Sequence, residues 1–205
     1  MSDILYDTLW NSEEMALAIN PKQVTTSHGV VDCGKLSAVT CKKIIDESKN
    51  PINKLVKGKI QDGGKFSLNE KIRQADIWVL NEQNRWIDEI IISTAETALQ
   101  YLDYDVVGLM ERPQLMRYTS PSIGYNWHID LGQDQLSTRK LSISITLNED
   151  FTGGDLLFFS DKLFRCPLPK GQCIAFPSFL SHKVMPIRTG VRWALVCWIS
   201  GHPFR

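Results

Sequence analysis

The chain has little of what usually marks a protein's setting. Its 205 residues carry no surplus charge, with 23 Lys+Arg against 23 Asp+Glu, so no field of one sign draws it to nucleic acid or an anionic membrane. No basic stripe with interleaved aromatics offsets that neutrality. Cysteine is sparse and odd in number: Cys33, Cys41, Cys166, Cys173 and Cys197 form no CxxC pair, which argues against a disulfide framework or a structural zinc site and fits a reducing cytosol. No apolar run approaches the roughly 18 residues of a membrane span. The opening residues show no basic segment followed by an apolar one, so a cytoplasmic location is expected. Repeats and low-complexity tracts are missing too. What remains is ordinary globular composition, 43% hydrophobic and 22% charged, at a length that suits one domain over 1–205 with a sizeable core.

Two textures divide the chain. Residues 1–110 are expected to be a mainly helical support region. "KLSAVTCKKIIDESKN" places apolar residues at helical spacing and ends before Pro51. "NEQNRWIDEIIISTAETALQYLDY" is stronger, with Trp86, Ile90, Ile91, Ala95, Ala98 and Leu102 at i, i+3, i+4 intervals. The polar, glycine-containing "VKGKIQDGGKFSLNEK" between them reads as a loop. Over 111–205 the pattern changes to short apolar runs between turn signals. Strands are expected near 115–119, 125–131, 141–148, 155–159, 164–168, 172–176, 182–187 and 192–200, punctuated by "TGGD", "PKGQ" and "RTG". Eight short strands suggest a double-sheet jelly roll, an α+β fold, with the helices bracing one sheet from outside.

Histidine is also scarce, at four residues, yet one stands in "GYNWHIDLG" two residues from an aspartate. Side chains at i and i+2 of an extended segment share a face, so His128 and Asp130 can grip one ion together. His182 opens the expected seventh strand, which in a closed jelly roll lies beside the second. Two imidazoles and one carboxylate make the facial triad of non-haem iron oxygenases; with a single open position the same set suits catalytic zinc. Arg192 follows ten residues after His182, where its guanidinium can pair with a carboxylate deep in the barrel. Its face continues through Ala194, Val196 and Trp198. Tyr118, on the first strand, can add a hydroxyl to that carboxylate. A keto acid on the metal with a distal carboxylate on an arginine is 2-oxoglutarate. A metal-dependent hydrolase or isomerase on a cupin-like barrel, or a non-enzymatic binding module, would account for the ligand pair but not for Arg192.

In "RYTSPSIGYNWHID", "RKLSISITLNEDFTGGDLLF" and "LPKGQCIAFPSFLSHKVMPIRTGVRWALVCWIS" the chain resembles the prolyl-4-hydroxylase-like 2-oxoglutarate/Fe(II) dioxygenases, and most closely the PKHD-type hydroxylases. "NEKIRQADIWVL" in the first half is loosely similar. The resemblance implies that His128, Asp130 and His182 ligate Fe(II), that Arg192 anchors 2-oxoglutarate and that Tyr118 assists it. Thr146 falls where some members place another cosubstrate contact. It further implies O2 as cosubstrate, ascorbate as a reductant, and hydroxylation coupled to decarboxylation of 2-oxoglutarate to succinate and CO2. A peptidyl proline is the first substrate expected; a free amino acid or small metabolite is the alternative. Recognition is expected from residues 50–70 and 131–140. Gly153 and Gly154 read as a turn, Arg139 as a solvated strand end, and His28 and His202 as structural or exposed.

Overall fold

The computed structural model describes residues 26–204 apart from 28, 58, 63, 64, 70, 71 and 167. His28 therefore lies outside the described residues. In chain order the elements are β1 (Thr26–Ser27), β2 (Val30–Lys35), α1 (Ala38–Asp46), β3 (Lys54–Lys57), β4 (Lys59–Asp62), β5 (Lys65–Leu68), β6 (Asp76–Val79), α2 (Arg85–Leu99), β7 (Gln114–Thr119), β8 (Tyr125–His128), β9 (Arg139–Thr146), β10 (Phe151–Gly153), β11 (Leu156–Phe159), β12 (Leu163–Cys166), β13 (Gln172–Pro177), β14 (Ser181–Val184) and β15 (Ile187–Ser200).

Two antiparallel sheets face each other. The larger runs β1-β2-β13-β9-β15-β7-β6-β3, with β10 pairing the start of β15; the smaller runs β12-β11-β14-β8. This is the expected jelly roll, and all eight expected strands are present within a few residues. β8 and β14 are neighbours, with His128 directly opposite His182.

The alternation on β9 decides where the core and the cavity lie. Leu141, Ile143, Ile145 and Leu147 join an apolar layer with Trp86, Ile87, Ile91 and Ala95 of α2 and with Cys41 and Ile44 of α1. Ser37 caps α1 by accepting from the Thr40 backbone N–H at 3.0 Å, satisfying a donor the first turn leaves free. The opposite face of β9, with Ser142, Ser144 and Thr146, is equally buried, because it turns toward the smaller sheet. There a second apolar layer gathers Met116, Tyr118, Leu156, Phe158, Ile174, Phe176, Val184 and Trp198. Ile145→Ala is expected to cost about 2–5 kcal/mol, because a fully buried residue leaves a cavity its neighbours cannot fill. The midpoint of urea unfolding measures it.

The first part of the chain corrects one expectation. Among its described residues it is not mainly helical: two helices accompany six strands, and β2 and β6 enter the same large sheet as the later strands. The stretch read as a loop contains the antiparallel β4–β5 pair. Cross-strand partners far along the chain make β2 and β6 strands, with β2 on β13 and β6 on β7. Local periodicity carries no record of such partners.

Candidate active site

Between the sheets lies a cavity of about 800 Å³, lined by His128, Asp130, His182 and Arg192 among others. His128 ends β8, Asp130 follows two residues later, and His182 sits on β14. Their ligating atoms all lie within 4.8 Å of one another. Asp130 stands between the rings, with Oδ1 3.6 Å from His128 Nε2 and Oδ2 3.6 Å from His182 Nε2.

Each histidine is oriented by the carbonyl two residues before it. His128 Nδ1 lies 2.7 Å from the Asn126 carbonyl and His182 Nδ1 lies 2.9 Å from the Leu180 carbonyl. A carbonyl only accepts, so both Nδ1 atoms carry protons and the Nε2 lone pairs turn to the cluster centre. Tyr125 stacks flat on His128 at 3.4 Å between centroids, while Phe176 meets His182 edge-on at 4.8 Å. Burial, followed by the neighbouring His182, pushes the His128 pKa down and keeps that ring neutral. Burial alone would raise the Asp130 carboxyl. His182, His128, Arg139 and the Ser142 hydroxyl outweigh it and hold Asp130 below the usual carboxylate range. A carboxylate with Nε2 lone pairs turned toward it is the state a divalent cation requires.

The same cavity is lined by Arg192, which is 1% exposed. Register places Tyr118 opposite it on β7, with the Arg192 guanidinium carbon 5.6 Å from the Tyr118 ring centre. Burial pushes the Arg192 pKa down, against the opposing pull of Tyr118 and Asp155. Arg192 Nη2 and Thr146 Oγ1 are buried polar atoms without a hydrogen-bond partner among the described residues. Among the described residues the Tyr118 hydroxyl meets only the Met116 sulfur, at 3.7 Å. Orphaned buried groups of this kind cost free energy unless a ligand satisfies them. Arg192 and Tyr118 line the cavity, whereas Thr146, paired with Ala194 across the strands, is not among its lining residues; a carboxylate fits the cation and the phenol.

Several residues exceed what their sequence setting suggested. Gly154 is more than a turn residue: at φ +68°, its missing Cβ would stand 2.8 Å from Arg192 Cδ, so only glycine leaves the guanidinium stem its room. Arg139 is no solvated strand end. It is 8% exposed, pairs through two nitrogens with Glu111, stacks 3.6 Å over the Trp198 ring and lines the cavity. Ser142 and Ser178 carried no signal at all, because a serine on a strand or in a turn is common. His202 is exposed, as expected.

Residues 113–200 match the family model of the 2OG-Fe(II) oxygenase superfamily. The match covers 88 of the 205 residues. The chain is 39% identical over 84 residues to a PKHD-type hydroxylase of Synechococcus sp. (strain CC9902), a match covering 38% of this chain and 37% of that one. Across the first such relatives the chain spans 37% to 55% of their length. Among solved structures it resembles a Pseudomonas putida prolyl-4-hydroxylase, with TM-score 0.66, 19% identity, and coverage of 91% of this chain and 98% of that one. It equally resembles a Trichoplax adhaerens prolyl hydroxylase in complex with a hypoxia inducible factor peptide fragment, with TM-score 0.66, 18% identity, and coverage of 93% and 90%. These two likenesses establish a shared double-stranded β-helix fold and nothing beyond the fold.

Proposed function

We propose that the chain is an Fe(II)- and 2-oxoglutarate-dependent hydroxylase. His128, Asp130 and His182 would hold the metal, and Arg192 and Tyr118 would receive the distal carboxylate of 2-oxoglutarate. One observation carries the reading: three convergent ligand atoms share a cavity with a buried arginine whose Nη2 has no partner among the described residues. Fe(II) with 2-oxoglutarate and O2 supplies the oxidising chemistry, turning the keto acid into succinate and CO2 as the substrate is hydroxylated.

The chain's own residues bind, orient and exclude water. The Nδ1–H bonds to Asn126 and Leu180 hold both imidazoles with Nε2 inward. The Arg192 guanidinium offers two parallel N–H donors to a carboxylate in a site where little else competes for it. Leu156, Phe176, Val196 and Trp198 wall the cavity with apolar surface, which strengthens charge interactions inside. Toward the mouth stand Trp127 and Ile129, 40% and 48% exposed. Val56 and Lys57 from one expected recognition segment, and Leu131, Gln133 and Leu136 from the other, also border the cavity. An open apolar mouth suits an extended peptide, and two fold neighbours are named prolyl hydroxylases, so a peptidyl proline is the substrate class we put first. Ascorbate is the reductant we would supply in assays, and five cysteines with no CxxC pair suit a cytoplasmic setting.

Anaerobic titration of the protein with Fe(II) and then 2-oxoglutarate should produce a weak visible charge-transfer band. Succinate release above the uncoupled background in a peptide and amino-acid screen would then identify the substrate class. A protein that binds neither metal nor 2-oxoglutarate would overturn the reading.

A further inference from the structure

The two histidines are held by carbonyls two residues before them in the chain, but Asp130 has no such support from β8. Its partners come from elsewhere. Ser142 Oγ, on β9, lies 2.7 Å from Asp130 Oδ2, and Ser178 Oγ lies 3.0 Å from Ser142 Oγ. Both serines are fully buried. The direction of this chain follows from proton counting. An ionised carboxylate only accepts, so Ser142 donates to Asp130 and must then accept from Ser178. The backbone of the same segment is tied to the same place: the Asp130 and Leu131 N–H groups both donate to the Ser178 carbonyl, at 2.8 and 2.9 Å. Arg139 donates to the Asp130 carbonyl at 3.2 Å while fixed by Glu111.

We infer that Ser142, driven by Ser178, is a positioning residue that holds the Asp130 carboxylate to one ligating oxygen. The inference rests on the metal-binding reading of the triad. A hydroxyl proton on Oδ2 drains that oxygen's basicity and fixes the carboxylate plane, leaving Oδ1 as the better ligand. The consequence is functional. A carboxylate binding through both oxygens would occupy a coordination position that a bidentate keto acid and O2 need, whereas a one-toothed aspartate leaves three open. Hydrogen bonds of this outer kind change metal affinity about 10–100-fold when removed.

The test uses the full chain, freed of metal, titrated with Mn(II) by calorimetry and with Co(II) by visible absorption. Ser142→Ala should weaken Mn(II) binding about 10–100-fold. Its Co(II) bands should lose intensity, as a second carboxylate oxygen raises the coordination number. Ser142→Thr, which keeps the hydroxyl, should restore both. Ser178→Ala should move both readouts the same way by a smaller factor, and it serves if Ser142→Ala does not fold. A merely structural serine would lower the melting temperature of the metal-free protein and leave the Co(II) spectrum of the folded fraction unchanged. That result, or wild-type Mn(II) affinity in both alanine variants, overturns the inference. Asp130→Ala separates the layers: if it binds Mn(II) as the wild type does, the triad itself is not the metal site, and the reading beneath the inference fails.

Discussion

Replacing His182 with asparagine should reduce Mn(II) affinity by at least the roughly 10–100-fold that follows loss of a residue merely orienting a ligand. His182 would be a ligand itself, so the upper end of that range is a floor. Its place explains why nothing can substitute. His182 is 5% exposed, Nδ1 is committed to the Leu180 carbonyl, and its ring is wedged against Phe176 and near Phe158. Asparagine keeps a polar side chain but cannot bring a nitrogen lone pair to the same point. Loss of the aromatic contact alone should cost about 0.5–1.5 kcal/mol of stability, a small effect beside the change in metal binding. Calorimetric Mn(II) titration and urea unfolding of the metal-free protein measure the two separately. Wild-type metal affinity in His182→Asn would remove this residue from the metal site.

Arg192 should show a larger and opposite pair of effects. Arg192→Met is expected to abolish 2-oxoglutarate binding while stabilising the ligand-free protein. A cation 1% exposed, whose Nη2 finds no partner among the described residues and whose burial outweighs the opposing pull of Tyr118 and Asp155, is a standing cost to the fold. Exchanging buried charge for an apolar side chain of similar length gains about 1–4 kcal/mol in favourable cases. In a chain of this length that is a rise of about 2–4 °C in melting temperature per kcal/mol. Arg192→Lys keeps the charge but loses the two-pronged geometry. It should weaken 2-oxoglutarate by about 10–100-fold, the equivalent of one charge-assisted hydrogen bond. Melting curves with and without 2-oxoglutarate, in the presence of Mn(II), report both quantities. A destabilised Arg192→Met protein that still binds 2-oxoglutarate would show that the arginine serves the fold and not the cosubstrate.

Both effects concern residues that could be named from the chain alone, and the reason is chemical. Few residue types can ligate a metal or anchor a carboxylate, so His128, Asp130, His182 and Arg192 stand out as candidates in a sequence with four histidines. Two side chains at i and i+2 reveal a shared face without any knowledge of the fold. Period-two alternation in "LSISITL" likewise identified β9, and the i, i+3, i+4 pattern from Trp86 identified α2, because each depends only on neighbours in sequence.

The residues that hold the site in place were not legible in this way. Ser142 and Ser178 look like any serine, and their meaning arises only when β13 pairs with β9 and brings the turn after it over Asp130. Arg139 looked like a solvated strand end until Glu111 and Trp198, from 28 residues before it and 59 after it in the chain, closed on it. The alternation of β9 could not say which face was which. Its polar side is buried because a second sheet covers it, a fact of packing rather than of pattern. The strands β2 and β6 were missed for the same reason, since pairing with distant β13 and β7 makes them strands. Local chemistry and periodicity thus determined which groups could react and which segments could be regular. Long-range pairing decided what those groups face, what orients them and how much water they see, because those depend on contacts that exist only after the chain has closed on itself.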